Sequence, residues 1–467
     1  MTIDVAVIGA GISGLASAYA LTRAGLRVIV LEATRRTGGR IASERITGFL
    51  MEHGPNGIVA PAPASERLIT ELALAGERVE RSDAARNRYV MRARRMHALS
   101  LQPWHLLFRG PLSFAGRLRL LAEPLVAPRP EDETVAAFAR RRFGGEFLDY
   151  VMEPLAGGLY AGSAGQLSIA AVFPQLKRLE RRFGSVTGAS LMSRFRRIPG
   201  AIPAEAAART MFSFRGGMRV LADTVAQRLA GLVFLGQRVE SVQRRGGGGF
   251  RLLVRDGHAG RSLGAECVVV ASPAYAAAPM LERLDRRVAQ ALALIRHPPV
   301  AVVFLGYRAG AIAHPLDGAG VLLPAVERRD VLGILFSSTL FPGRAPSGHV
   351  ALTAFVGGAR QPQLAALRPA ELTELVAGEV RRMFGARAAP MVAHTHCWRR
   401  ALPQPGLEHP QRIRAIAALE NEHPGLFLTG NYLGGVSTAA CIEKAADTAR
   451  RVEHHLAARC LPSRRVA

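Results

Sequence analysis

Apolar residues fall along the chain with two different periods. Unbroken runs at Val5–Ile8, Val28–Leu31, Val268–Ala271 and 298–306 (PPVAVVFLG) have the length and β-branched content of buried strands. A small-residue stretch reaching Ala24 lies between the first two and predicts a helix laid on a sheet. Leu221, Val225 and Leu229 predict an amphipathic helix, followed by strands around 232–242 and 250–254 joined by Gly246–Gly249. Near the end, Leu426–Thr429 predicts a strand that turns through glycines into a helix beginning near Ser437. Between Pro103 and Pro128, Phe114, Leu118, Leu121 and Leu125 share one helical face, with Trp104 upstream and Arg117 and Arg119 pointing elsewhere. Such a stripe is expected to pack into a core; it would meet a membrane surface only if exposed. EPLAGGLYAG at 153–162 reads as a turn-rich connector after a helix ending near Glu153-Pro154.

Composition narrows this picture. At 467 residues the chain predicts two or three packed units. No apolar run approaches the roughly 20 residues of a membrane-spanning helix. The start, MTIDVAVIGAG, enters a strand directly and carries no secretory signal pattern, so a cytoplasmic location is expected, with peripheral contact at the inner-membrane face left open. Four cysteines without a C-x-x-C pair predict reduced thiols and no metal site. His394 and His396 in HTHCW share one strand face but lack a partner set with metal-ligand spacing, so a structural strand is expected; His454 and His455 are expected to be solvent-exposed. The net charge of +25 comes without any nucleic-acid motif, and no nucleic-acid partner is expected. A basic surface would still be attracted to anionic lipid by about 1 kcal/mol per well-placed arginine.

The first strand runs into Gly9-Ala10-Gly11-Ile12-Ser13-Gly14, a G-x-G-x-x-G turn opening a helix, and the second strand ends at Glu32. Glycines there allow a pyrophosphate to approach backbone at a helix N-terminus, and the acid is placed to accept from a ribose hydroxyl. The chain then continues through Arg36-Thr37-Gly38-Gly39-Arg40, a second glycine turn flanked by arginines that suits the longer FAD over NAD. The segments 214–273 and 426–452 read as returns to the same unit. Val239 would offer backbone to adenine, and the helix from Ser437 would aim its positive end at a reduced flavin.

With these turns in place the chain resembles the FAD-dependent amine-oxidase-like superfamily and, within it, the oxygen-dependent protoporphyrinogen oxidases. The resemblance runs over nearly the whole length. It is carried by GAGISG with EATRRTGGR, EHGPNG (52–57), NRYVMR (87–92), EPLAGGLYAG, FPQL, FRGGM, SSTLFPGRAPSG, FVGGAR, WRRALPQ (398–404) and GNYLGGVSTAACI. It implies an α/β (α+β) fold. A discontinuous Rossmann-type FAD-binding domain (1–60, 206–285, 401–467) would accompany a mixed-sheet substrate domain (61–95, 286–400) and an inserted helical membrane-associating domain (96–205). The implied reaction oxidises protoporphyrinogen to protoporphyrin with molecular oxygen, giving peroxide. Chemistry takes place at the flavin and no catalytic side chain is implied.

The resemblance places non-covalent FAD against Gly9, Gly11, Ser13, Gly14, Glu32, Arg36, Gly38, Gly39, Arg40, Gly54, Pro55, Asn56, Val239, Gly430, Asn431, Gly435, Val436 and Ser437. It puts a propionate on Arg88 and a pyrrole N–H on the Gly158 carbonyl. Gly157 stands where serine is common and Ser163 where an acid is, which favours backbone over side-chain roles there. An amine oxidase would carry a lysine in the strand 300–307, whereas the only lysines are Lys177 and Lys444. Oxidation of coproporphyrinogen, a non-catalytic tetrapyrrole or lipid carrier, and a homodimer stay open.

Overall fold

Val5–Ile8 is wholly buried because its strand, Ile3–Ile8, pairs in parallel on both edges, with Val28–Glu32 on one side and Ala259–Val270 on the other. The computed structural model describes residues 3–59, 62–100, 103–108, 110–195, 211–257 and 259–460. The sheet runs Val233–Leu235, Val28–Glu32, Ile3–Ile8, Ala259–Val270, Phe250–Asp256, Gln237–Arg244, with Leu426–Leu428 also on Ala259–Val270. That last long strand serves two neighbourhoods. Its polar first half pairs antiparallel with Phe250–Asp256, and its CVVV end pairs in parallel with Ile3–Ile8 and Leu426–Leu428. The 232–242 region is thus two strands, broken at Gly236, which has φ +74°.

A second sheet runs Val392–Trp398, Val300–Arg308, His349–Gly357, Val331–Phe336, Gly318–Leu322, Asn87–Arg92, Arg95–Ala98. Val300–Arg308 is buried at every position but its last, which accounts for its unbroken apolar run.

Helices over 103–195 form the third region, around Phe138, Phe143, Phe147, Val151 and Tyr160. Buried charges brace it. Arg142 pairs with Glu123 and Glu180, Lys177 with Glu180 at 2.8 Å, and all four are essentially inaccessible to solvent. Glu123 also accepts from the N–H groups of Val186 and Thr187, both at 3.1 Å, capping the helix Val186–Phe195.

Two expectations change here. EPLAGGLYAG is helical over Glu153–Tyr160, continuing from a π-turn at Leu148–Met152 and ending where Ala161 turns left-handed at φ +49°. The π-turn just before Pro154 widens the helical ladder there, which accommodates a residue without an N–H and lets the helix continue past it. Phe114–Leu121 is a helix as expected, but it buries Leu120 and leaves its stripe outside: Phe114 is 76%, Leu121 60% and Leu125 89% exposed. The Trp104 side chain lies outside the described residues.

The regions are joined at a buried carboxylate. Glu52 accepts from Ser43 Oγ at 2.6 Å and from the Met218 N–H at 2.8 Å, and pairs with buried Arg344 at 3.3 Å. Three motif segments, EHGPNG, FRGGM and SSTLFPGRAPSG, therefore meet at one charge. Burial pushes the Glu52 carboxyl up to about 7 against the opposing pull of Arg344. The folded protein keeps a proton there that the unfolded chain gives up above its ordinary value of 4.5, so stability falls as pH rises between those two values. The size is about 3 kcal/mol at 1.36 kcal/mol per unit. Urea titrations of Glu52→Gln at pH 5 and 7.5 should lose this dependence; an unchanged slope against pH would assign it elsewhere.

Candidate functional site

The glycine turn after the first strand is shaped by packing. A Cβ on Gly14 would overlap the Gly9 carbonyl, so only glycine lets the helix Ile12–Arg23 lie this close to the strand. Among the described residues no side chain caps that helix, and its first turn holds no acid, so its leading N–H groups are left for an anionic ligand. Glu32 reaches back to the same turn. It accepts from the Ala10 N–H at 2.7 Å and from the Thr34 N–H and hydroxyl at 2.8 Å, which fixes its orientation while leaving lone pairs for a ribose hydroxyl.

The C-terminal helix Thr438–Cys460 lies beside this one. The Ser13 hydroxyl meets the Cys441 thiol and the Ser17 hydroxyl donates to the Ala445 carbonyl at 3.3 Å. Equal four-residue steps mean the helices run parallel, so both N-termini open on one cleft. Ser437 caps the second, accepting from the Ala440 N–H at 3.1 Å. Two positive dipole ends, 425 residues apart in number (12 and 437), thus address the same space. Burial pushes the Cys441 thiol up to about 11, which keeps it neutral.

The second glycine turn closes over the first. Gly38 donates to the Ala10 carbonyl at 2.8 Å and Gly39 sits against Gly11. Arg36 turns back onto the Gly39 carbonyl at 2.5 Å. Arg40 lies over the Trp398 ring at 5.1 Å and donates to the Arg400 carbonyl, while its Nη1 is buried without a partner among the described residues. Gly54 packs where a Cβ would overlap the Arg40 carbonyl, and Asn56 turns back to the Gly54 carbonyl at 3.4 Å. Gly430 and Gly435 are both in the positive-φ region, flanking Asn431 and leading to Val436. Val239 lies on the edge strand beside a bulge. The buried hydroxyls of Ser272 and Thr429, at the carboxyl ends of the parallel strands, have no hydrogen-bond partner among the described residues. Uncapped N–H groups, glycine backbone, a free guanidinium nitrogen and unpaired hydroxyls on one rim fit FAD. Ser272 and Thr429 were not legible as site residues; their only sequence signal is position just after an apolar strand.

The helix Glu153–Tyr160 borders the other side. Gln404 donates to the Tyr160 carbonyl at 2.8 Å, Ala359 to the Ala161 carbonyl at 2.7 Å, and Arg360 pairs with Glu153 at 3.7 Å. A Cβ on Gly358 would sit 2.5 Å from the Ala161 carbonyl, so glycine is needed in FVGGAR. Gly158 belongs to the last turn, whose carbonyls lie beyond the helical ladder. Gly157 is buried, yet a Cβ there would meet nothing within 4 Å: it looks onto enclosed space. Gly158 faces Leu322, whose strand pairs with Asn87–Arg92. Strand alternation puts Arg88 on the same face as Val90, which packs in the cluster holding Ala156 and Tyr160. Val436 from the C-terminal turn touches that same cluster. Arg88 has no acidic partner among the described residues, and burial, then neighbouring Arg81, push its guanidinium below the usual arginine range.

The histidines have unexpected company. His394 and His396 lie on one face of Val392–Trp398, as expected, but His53 stacks on both, at 5.1 and 4.7 Å, and Glu44 approaches from the neighbouring hairpin. Burial first, then His396 and His394, push His53 down to about 4. His455, expected in solvent, is half-buried against Phe427; His454 is exposed. Cys397 is exposed, on the opposite strand face from His396. Lys177 is spent in the helical charge network and Lys444 on Asp447.

A family described as flavin containing amine oxidoreductase matches residues 12–452. The chloroplastic protoporphyrinogen oxidase of Nicotiana tabacum is 31% identical over 474 residues, covering 96% of this chain and 85% of that protein. The protoporphyrinogen oxidase of Homo sapiens is 33% identical over 473 residues, covering 95% and 97%. A crystal structure of a protein from Exiguobacterium sp. 255-15 matches with a TM-score of 0.81 at 21% identity, covering 98% of this chain and 99% of that one. Cyclohexylamine oxidase from Brevibacterium oxydans IH-35A gives 0.72 at 19%, covering 98% and 100%. The structural likenesses establish the fold, and the nucleotide turns supply its chemistry. On the residues matched and on its relatives, this chain belongs to the family of flavin-containing amine oxidoreductases.

Proposed function

We propose that this chain oxidises protoporphyrinogen IX to protoporphyrin IX, with FAD in the cleft and molecular oxygen as acceptor, giving hydrogen peroxide. The observation that carries the reading is Arg88, a desolvated guanidinium without an acidic partner among the described residues, on the sheet face that packs the helix bearing Gly157 and Gly158. Such a group asks for a carboxylate, and a propionate supplies one in a paired, charge-assisted contact. Relatives at 31% and 33% identity that bear the name protoporphyrinogen oxidase support the same substrate.

Bound FAD supplies the hydride acceptor for successive two-electron oxidations. The chain's residues hold and orient. Arg88 takes a propionate, the Gly158 carbonyl accepts a pyrrole N–H at the negative end of its helix, and Gly157 leaves room for a flat macrocycle. The contact of Val436 with the cluster around that helix brings the substrate edge to the flavin turn. The paired N-termini at Ile12 and Thr438 stabilise negative charge on pyrophosphate and reduced ring. No acid–base pair is required.

The helical region docks on a membrane surface in this reading. None of the described helices is long and apolar enough to cross a membrane. Phe108, Phe114, Leu118, Leu121 and Leu125 are each at least half exposed, a set suited to lying in a headgroup layer.

Aerobic turnover of protoporphyrinogen and coproporphyrinogen, followed by porphyrin fluorescence, tests the function. Rates no faster than without enzyme would sink it, and a preference for coproporphyrinogen would reassign the substrate. Arg88→Ala should raise KM by about 10–100-fold, the loss of ~1.5–3 kcal/mol of charged hydrogen bonding; unchanged kinetics would remove Arg88 from the site. Gly158→Phe should abolish turnover while the flavin absorption spectrum persists, and its loss would mean that the fold, not the substrate edge, was damaged. In co-sedimentation with anionic phospholipid vesicles, Leu121→Glu/Leu125→Glu should cut the bound fraction about tenfold or more, each buried leucine contributing ~1.5–3 kcal/mol; equal binding would refute the docking face.

A further inference from the structure

Glu44, His53 and His394 each bring one ligand atom to within 4.8 Å of the other two. They come from three places: Glu44 from the strand Ser43–Ile46, His53 from the residue after its hairpin partner Phe49–Glu52, and His394 from the outer strand of the second sheet. Glu44 Oε2 lies 3.4 Å from His53 Nε2 and 3.7 Å from His394 Nε2. Neighbouring ligands around a tetrahedral zinc with bonds near 2.0–2.2 Å stand about 3.3–3.6 Å apart, so the two carboxylate–imidazole distances already match, and the imidazole nitrogens, within 4.8 Å of each other, would close on an ion by side-chain rotation. His53 Nε2 is buried and makes no hydrogen bond among the described residues, and the same holds for Nε2 of His396, which stacks on His53 at 4.7 Å. The nearby guanidinium of Arg36 is turned away onto the carbonyls of Thr37, Gly39 and Ile41.

We propose that Glu44, His53 and His394 bind a divalent transition ion of the zinc class, tying the hairpin on the flavin side to the outer strand of the second sheet. Two imidazoles and one carboxylate suit zinc over magnesium or calcium, which take oxygen ligands. Three protein ligands leave a fourth position for water. The place matters because His53 runs directly into Gly54-Pro55-Asn56 and its carbonyl accepts from Trp398 Nε1 at 2.6 Å, so the ion would staple the flavin turn to the strand that carries Arg40's aromatic platform.

Calorimetric titration of the chelator-stripped, flavin-loaded protein with zinc sulfate should give one ion per chain. His394→Ala and Glu44→Ala should each weaken binding at least tenfold with the flavin spectrum intact. Cys397→Ser, which removes the exposed thiol on the opposite strand face, and His454→Ala should leave it unchanged. No zinc uptake by the parent protein, uptake surviving both ligand variants, or loss in Cys397→Ser would overturn the site.

Discussion

Gly14 packs against the Gly9 carbonyl, and Gly54 against that of Arg40, in space that a Cβ would fill. Everything about the cofactor cleft follows from this approach of backbone to backbone. It seats the helix Ile12–Arg23 low on the sheet, which lets Thr438–Cys460 lie parallel beside it and turns both N-termini toward one point. It also brings the second glycine turn over the first, where Gly11 and Gly38 form a bridge.

Around that cleft the distant segments are held by buried polar joints, not by apolar packing alone. Glu52 gathers a hairpin, the Met218 turn and Arg344; Arg360 joins Glu153 to the second sheet and donates to the carbonyls of Leu323 and Val331. Such joints are directional, so they set where segments meet, whereas apolar contacts tolerate sliding. Glu52, Met218, Arg344, Glu153 and Arg360, all within the family motifs, serve these joints. Buried charge costs desolvation, which the raised Glu52 expresses directly.

The helical region combines an apolar core around Phe138, Phe143 and Phe147 with a buried network of Arg142, Glu123, Glu180 and Lys177, and it also carries exposed leucines and phenylalanines on Phe114–Leu121 and its surroundings. The buried charges are paired with one another, while the exposed apolar residues on the outer face have the character of an interaction surface.

What the chain encodes locally was legible. The run from Ile3 to Glu32 needs only strand period, glycine spacing and a terminal acid, all within one supersecondary unit. The lone Arg88 and the carbonyl edge of Gly158 came from motif position, since composition could not separate one arginine from the rest. Amphipathic spacing places Phe114, Leu118 and Leu121 on a common face but says nothing of what that face meets; packing of Leu120 and Glu123 against neighbours decided it. EPLAGGLYAG reads as a turn-rich connector, yet clamps from Gln404, Ala359 and Arg360 hold Glu153–Tyr160 as a helix. The motif around His394 showed one member of the Glu44–His53–His394 cluster; the other two approach it from the far end of the chain. Sequence alone determined the elements whose contacts are near in the chain, because dihedral preference and period act over a few residues. Which remote side chains share a pocket was decided only in three dimensions, because that depends on how whole sheets and helices pack.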